Sequence, residues 1–187
     1  MAFTFTPLSI PEVILVEART RADDRGYFRE LFKASEFGGH GMPPAFAQAN
    51  YSHSSRGVLR GLHYQKHPRA QGKLVSVLHG EIFDVAVDIR TGSPTWGRWA
   101  GATLSAANGC MLYVPPGFAH GFCALSDEAD VLYQVTAEWD AGLEAGIVWN
   151  DPDIGIRWPI AEPALSPKDA KLPLLRAADS NFEYGRD

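Results

Sequence analysis

Short runs of β-branched and aromatic residues recur along the chain, separated by Gly, Pro, Asn and Asp. In segment 81–90, positions 83, 85, 87 and 89 are apolar and share one face of an extended strand, whereas Asp84 and Asp88 fall on the other. In segment 129–137, one face carries Val131, Tyr133 and Val135. Alternation alone is compatible with a solvated Asp84 and with Tyr133 as a core aromatic whose hydroxyl finds a partner.

The number of strand-like runs predicts an all-β sandwich or barrel. The sequence has 18 glycines and 13 prolines, which suit many turns better than long helices. The runs "KLVSVLHG" and "EIFDVAVDI" predict a hairpin that turns at residues 79–80. Helix signals are weak; the best lies in the tail "LSPKDAKLPLLRAA", where Ser166 is placed to cap a turn started by Pro167.

Composition narrows the class of protein. The chain has 187 residues, 45% of them hydrophobic, which predicts one domain over 1–187 with one sizeable core. With a net charge of −5 and no basic tract, nucleic acid is not an expected partner. No apolar run approaches the ~20 residues that span a bilayer, and the N-terminus lacks the charged start of a signal peptide. The two cysteines give no disulfide framework, so we expect a reduced, cytoplasmic protein.

The stretch "YVPPGFAHGF" resembles the second motif of the cupin barrels through Pro115, Gly117 and His120. Cupins that bind a metal have two histidines one residue apart in their first motif, followed by a glutamate. Here the corresponding place is His63–Tyr64–Gln65, and no Glu follows before Glu81. Because a stable site needs about three or four protein ligands, the motif favours a barrel and predicts no metal.

Six side chains that can move or orient protons are scattered through the sequence. If they share a site, it is the interior of the barrel, where residues from different strands meet. A histidine base, a carboxylate that fixes its tautomer, a tyrosine acid and a lysine that stabilises an oxyanion suffice to remove a proton next to a carbonyl. Their spacing does not establish that they converge. They are His63, Lys73, Asp84, His120, Tyr133 and Asp169.

Several long motifs, in order, resemble the dTDP-4-dehydrorhamnose 3,5-epimerase family over nearly the whole chain. They are "DDRGYFRELF" at 23–32, "QANYSHSSRGVLRGLHYQ" at 48–65, "QGKLVSVLHGEIFDVAVDIR" at 71–90, "YVPPGFAHGFCALSDEADVLYQVTAEW" at 113–139 and "LSPKD" at 165–169. The resemblance implies a cupin-type jelly-roll barrel with short peripheral helices, a homodimer, and no metal or nicotinamide cofactor. It also implies a dTDP-4-keto-6-deoxyhexose substrate.

The resemblance assigns catalytic roles by motif. His63 is the general base and Asp169 its orienting partner. Tyr133 is the acid that returns a proton from the opposite face. Lys73 stabilises the enolate oxygen, and Asp84 holds the charge and direction of that lysine.

The resemblance also implies the groups that bind the substrate. Arg60 and His120 match positions around the diphosphate and the sugar, and the planar fork of Arg60 suits a phosphate. Two neutral polar residues contact the ligand, Gln48 and Asn50. The nucleotide-binding segment contributes Arg25 to phosphate and Phe28 and Glu30 to thymine, and part of it can reach the site of the neighbouring subunit.

The sequence departs from the family pattern at Trp139, where many members have a tyrosine. An indole can stack on a base but has no hydroxyl. Three alternatives stay open: an epimerase that inverts only C3 or only C5, a catalytically silent cupin that binds a nucleotide sugar, and a metal-dependent cupin oxygenase, which the missing ligands disfavour.

The stretch "RGLHYQ" makes a geometric prediction. Strict alternation puts Arg60 and His63 on opposite faces of a strand. Both can face one site only if the strand bends or bulges between them, and Gly61 is the residue that permits it.

Overall fold

Thirteen strands and three short helices form the protein, and a computed structural model describes residues 2–186 of it. The strands are β1 (Phe3–Pro7), β2 (Ile14–Ala18), β3 (Thr20–Asp23), β4 (Gly26–Arg29), β5 (Gln48–Ser55), β6 (Leu59–Gln65), β7 (Lys73–His79), β8 (Glu81–Asp88), β9 (Trp99–Ser105), β10 (Cys110–Val114), β11 (Phe118–Ala124), β12 (Glu128–Val135) and β13 (Glu144–Gly146). The helices are α1 (Ala34–Gly38) and two 3-10 turns, Asp169–Lys171 and Leu175–Ala177.

The strands form two antiparallel sheets that face each other as a jelly roll. One sheet has the order β1-β2-β10-β7-β12-β5, and the other has the order β13-β6-β11-β8-β9. A separate hairpin pairs β3 with β4. The prediction of an all-β jelly-roll barrel is therefore confirmed.

An apolar cluster between the sheets holds the barrel together. It joins Val75 and Leu112 of the six-stranded sheet to Ile82 and Phe118 of the other. Burial of a side chain of this size contributes about 1.5–3 kcal/mol. The space between the sheets that this cluster does not fill is the cavity described below.

The outer faces of both sheets are also covered. Phe37 of α1 and Met42 pack on the six-stranded sheet, while Leu175 and Phe182 of the C-terminal segment pack on the five-stranded one. These layers explain why several strands are apolar on both faces. Within residues 2–186, no helix is long and apolar enough to cross a membrane.

The hairpin predicted at residues 79–80 is wrong, because β7 pairs with β10 and β12 whereas β8 pairs with β9 and β11. The chain crosses from one sheet to the other at Gly80, which has φ +74° and whose added Cβ would lie 2.1 Å from the carbonyl oxygen of Glu128.

In the tail, the Ser166 hydroxyl accepts the Asp169 N–H at 3.0 Å, and this confirms the predicted cap. The weak helix signals gave no indication of α1.

The bulge predicted in β6 is confirmed. His63 pairs with His120 of β11, but Arg60 pairs with Phe122, so three steps along β6 match two along β11. Gly61 has φ +135°, and an added Cβ would lie 2.6 Å from the Cα of Gly121. Only glycine combines this backbone conformation with such a close approach.

Candidate functional site

A cavity of about 710 Å³ opens between the two sheets. Side chains from both sheets, the 138–140 segment and the C-terminal tail line it. The lining includes nine of the thirteen residues predicted from the sequence: Gln48, Asn50, Arg60, His63, Lys73, His120, Tyr133, Trp139 and Asp169. Arg60 and His63 both reach it because of the bulge at Gly61.

His63 and Asp169 form a hydrogen-bonded pair at the cavity wall. His63 Nε2 lies 2.7 Å from Asp169 Oδ1, although the two residues are 106 positions apart. Burial would raise the pKa of Asp169, but the hydrogen bond and charge of His63, with donors from Gly61 and Ser166, hold it below its usual range. Because Asp169 is therefore a carboxylate, the proton of neutral His63 sits on Nε2 and its lone pair on Nδ1. This arrangement suits a base.

Tyr133 comes from the opposite sheet. It lies on β12 of the six-stranded sheet, whereas His63 lies on β6 of the five-stranded sheet, and both line the cavity. Burial raises the pKa of Tyr133, the charge of Arg60 opposes the rise and the charge of Glu144 adds to it. The phenol therefore keeps its proton at neutral pH and can act as a donor.

Lys73 begins β7 and is almost completely buried, with 8% of its surface exposed. Its Nζ donates a hydrogen bond to the carbonyl oxygen of His63 at 3.2 Å. Burial lowers the pKa of Lys73 to about 8, against the charges of Asp84 and Glu144, which raise it. The amine is thus mainly a cation at neutral pH, placed where it can stabilise an oxyanion.

Asp84 is fully buried rather than on a solvated face, and it does not line the cavity directly. Its Oδ1 accepts from His120 Nε2 at 2.8 Å, because Asp84 and His120 are diagonal neighbours on β8 and β11. The family resemblance implied that Asp84 holds the charge and direction of Lys73. Its charge does raise the pKa of Lys73, but the hydrogen bond orients His120 instead.

Polar side chains on β5 and an exposed indole form another part of the lining. Gln48 Nε2 donates to Asn50 Oδ1 at 2.7 Å, and Gln48 Oε1 accepts the backbone N–H of Trp139 at 2.9 Å. Trp139 is 56% exposed. Arg60 is held by the Ser54 hydroxyl and by the carbonyl oxygen of His53.

Arg25, Phe28 and Glu30 lie in or next to the β3–β4 hairpin and are not among the residues that line the cavity of the same chain. Phe28 is 61% exposed, and Arg25 forms a 2.5 Å ion pair with Asp23. The hairpin pairs with neither main sheet and projects Arg25 and Phe28 outward. Glu30, just after β4, is instead half-buried, with its Oε2 buried and without a hydrogen-bond partner among residues 2–186.

Sequence reasoning missed Glu144 as a cavity residue. It forms an ion pair of 2.7 Å with Lys168, whose side chain lines the cavity mouth and stays 59% exposed. Burial would raise the pKa of Glu144, but the hydrogen bond and charge of Lys168 lower it. Glu144 lies in the three-residue strand β13, which has no recognisable motif, and only its pairing with β6 brings it to the site. In the described part of the chain, no three His, Cys, Asp or Glu residues are grouped so that they could hold a metal ion.

Comparison with known proteins identifies the family. The family model described as dTDP-4-dehydrorhamnose 3,5-epimerase matches residues 7–177. The chain belongs to this family. A dTDP-4-dehydrorhamnose 3,5-epimerase from Pseudomonas aeruginosa is 51% identical over 176 residues, which cover 93% of this chain and 97% of that protein. One from Neisseria gonorrhoeae is 52% identical over 162 residues, or 86% of this chain, and there the chain spans about half the length of its relative, 49%.

A solved structure of the 3,5-epimerase family shares the fold. It is the dTDP-6-deoxy-D-glucose-3,5-epimerase from Legionella pneumophila in complex with dTDP-4-keto-L-rhamnose, with 46% identity, a TM-score of 0.90 and 94% coverage of both chains. The jelly roll described above is thus the fold of a 3,5-epimerase, and its cavity is lined by His63, Lys73, Tyr133 and Asp169.

Proposed function

We propose that the protein epimerises C3 and C5 of dTDP-4-dehydro-6-deoxy-D-glucose to give dTDP-4-dehydro-L-rhamnose. One observation carries the proposal. The His63–Asp169 pair and Tyr133 line the same cavity from opposite sheets, as removal of a proton from one face and its return to the other require. The names of the relatives point to the same reaction.

The ketone at C4 acidifies the C–H bonds at C3 and C5. His63 takes the proton from one of these carbons, and the electron pair of that bond moves to the ketone oxygen, giving an enolate. The Lys73 cation stabilises the oxygen, and Asp169 stabilises the imidazolium of His63. Tyr133 then gives its proton to the opposite face of the carbon, and the electron pair returns from oxygen to carbon.

Each inversion replaces one C–H bond by another and changes no oxidation state. The ketone is itself the electron sink, so the proposed steps use neither a metal nor a nicotinamide. Exchange with solvent restores the proton of Tyr133 and removes the one taken by His63. The same groups can then act at the second carbon, since both carbons adjoin the same ketone.

The rest of the lining suits a nucleotide sugar. A volume of about 710 Å³ lies within the range of small-molecule sites, roughly 300–1,000 Å³. In this proposal Arg60 binds the diphosphate, His120, Gln48 and Asn50 bind through hydrogen bonds, and Trp139 stacks on the base.

We also propose a homodimer in which the β3–β4 hairpin of one subunit completes the cavity of the other. The exposed rings of Tyr27 and Phe28, each 61% exposed, support an arm that is buried by a partner. Arg25 and Glu30 would then meet phosphate and thymine in the partner's site. We assign the protein to the cytoplasm, in keeping with two cysteines that are not disulfide-bonded.

The test is incubation with dTDP-4-keto-6-deoxyglucose in deuterated water, followed by NMR. We expect deuterium at both C3 and C5 and the doubly inverted sugar. Deuterium at only one carbon would make the protein a single-centre epimerase. Binding of the sugar nucleotide without any exchange would make it a silent cupin. Either result overturns the proposal.

A further inference from the structure

Gln65 occupies the place at which a metal-binding cupin would have its second histidine, and it is only 2% exposed. Its side-chain amide makes three hydrogen bonds to backbone groups. Nε2 donates to the carbonyl oxygens of Arg69 at 2.5 Å and Glu138 at 3.0 Å, and Oε1 accepts the N–H of Asp140 at 2.8 Å. Both donors and the acceptor are thus used, and the orientation of the amide is fixed by its partners.

Two of these bonds hold the residues on either side of Trp139. Gln65 binds the carbonyl oxygen of Glu138 and the N–H of Asp140, and the N–H of Trp139 itself is bound by Gln48. The two peptide groups that flank Trp139 are therefore held by two glutamine side chains. The segment has no strand or helix of its own to hold it.

The exposed ion pairs of the same segment contribute less. Arg69 lies 3.2 Å from Glu138 and 3.7 Å from Asp140, but these side chains are 35–69% exposed. Water and salt weaken such pairs. The buried amide of Gln65 is therefore the main link between the catalytic strand and the segment that carries Trp139.

We propose that Gln65 is a positioning residue that sets the place of Trp139 at the cavity and thereby the affinity for the nucleotide. This inference rests on the proposed function, in which Trp139 stacks on the base. Gln65 follows His63 by two positions on the same strand, so it fixes the base-stacking indole relative to the proton-abstracting imidazole. It makes no contact with the substrate itself.

The experiment measures dTDP binding by calorimetry, together with KM and kcat for the 4-keto sugar nucleotide. Gln65→Met removes all three hydrogen bonds at similar side-chain length. We expect dTDP binding to weaken and KM to rise by about tenfold, with kcat within about threefold of the wild type. Gln65→Glu keeps the acceptor for Asp140 but sets an oxygen against the carbonyl oxygens of Arg69 and Glu138, so it should weaken dTDP binding at least as much as Gln65→Met.

Trp139→Ala supplies the readout that separates positioning from general damage. If Gln65 acts through Trp139, Gln65→Met weakens dTDP binding less than twofold further in the Trp139→Ala background. The matched control is Tyr64→Phe, which removes one buried hydrogen bond, to the carbonyl oxygen of Asp179, from the neighbouring position of β6. It should lower Tm and leave dTDP binding unchanged.

Several outcomes would overturn the inference. They are unchanged dTDP binding in Gln65→Met, an equal loss with and without Trp139, or loss of the fold in both Gln65 variants, which would show that Gln65 serves the fold alone. Failure of the proposed function looks different, because the wild-type protein would then exchange a proton at only one sugar carbon or at neither, whether or not it binds dTDP.

Discussion

His63 and His120 are paired across the adjacent strands β6 and β11, and each imidazole is hydrogen-bonded to a different carboxylate. Asp169 of the tail holds His63, and Asp84 of β8 holds His120. The side chain of His63 is 28% exposed and that of His120 only 8%. The more accessible His63 is therefore the better placed to take a proton from a substrate, while His120 is better suited to bind it.

Loss of His63 should abolish catalysis. We expect His63→Ala to lower kcat by about 10²–10⁴-fold, the range typical of general acid–base groups, and to stop exchange of the sugar C–H with deuterated water. NMR measures both. His53→Ala is the control, since its side chain is 53% exposed and pairs with Asp130 outside the cavity. Substantial exchange in His63→Ala would assign the base elsewhere.

Tyr133→Phe should separate proton removal from inversion. Without the phenol, His63 can still exchange a sugar proton, but we expect formation of the doubly inverted product to fall by about 10²–10⁴-fold. The stereochemistry of the product gives the rate of inversion, and its deuterium content gives the rate of proton removal. Tyr51→Phe, at a position 61% exposed, is the matched control. Full formation of the doubly inverted sugar by Tyr133→Phe would exclude Tyr133 as the acid.

The pKa of Lys73 predicts opposite pH trends for activity and stability. Burial lowers this pKa to about 8 from 10.5, so kcat/KM should fall above pH about 8 as the cation is lost. Between these pH values the unfolded chain binds more protons than the folded one. The contribution of Lys73 to the free energy of unfolding therefore rises from pH about 8 to about 10.5.

Lys73→Met is the control for that pH trend. It should lose most activity, should remove the contribution of Lys73 to the alkaline rise in stability, and should raise Tm at neutral pH because a buried cation is gone. Urea denaturation at several pH values measures the effect. A wild-type rate that stays constant up to pH 10 would show that the charge of Lys73 is not needed.

Gly61→Ala should be severely destabilising. The new Cβ would lie 2.6 Å from the backbone of Gly121 at a φ of +135°, so we expect a loss of more than about 3 kcal/mol in urea denaturation. Gly92→Ala is matched in having a positive φ, +83°, but has open space around it and should cost only about 1–2 kcal/mol. Equal losses in the two variants would mean that close approach at Gly61 is unimportant.

Mixed dimers test whether the β3–β4 hairpin acts on the partner. We expect Phe28→Ala protein alone and His63→Ala protein alone each to have low activity at low substrate concentration. Refolded together in equal amounts, they should regain about a quarter of the wild-type activity, because half of the dimers contain one complete site. Sedimentation measures whether the protein forms the proposed dimer. If mixing restores nothing, the hairpin serves its own subunit or none.

Much of the site could be predicted because its motifs lie on strands whose periodicity shows which side chains face together. The bulge at Gly61 followed from the conflict between alternation and the roles of Arg60 and His63. The link from His63 to Asp169 came only from family resemblance, since no spacing rule joins positions 106 apart. The places of Glu144 and Asp84 depend on register between distant strands, and the failed hairpin at residues 79–80 shows that adjacent strands can enter different sheets.

The extra residue in β6 also affects the length of substrate that the site accepts. Three steps along β6 span the same length as two steps along β11, so the bulge takes up the extra residue instead of adding length. A regular strand with the same residues would put Arg60 and His63 about 10 Å apart along the strand and on opposite faces, since each residue rises about 3.3 Å. The bulge brings the two positions to the spacing of two residues, about 7 Å, and onto one face. It therefore sets the distance between the group proposed to bind the diphosphate and the group proposed to take a proton from the sugar, and a change in the length of β6 at this point should select sugar nucleotides of a different span.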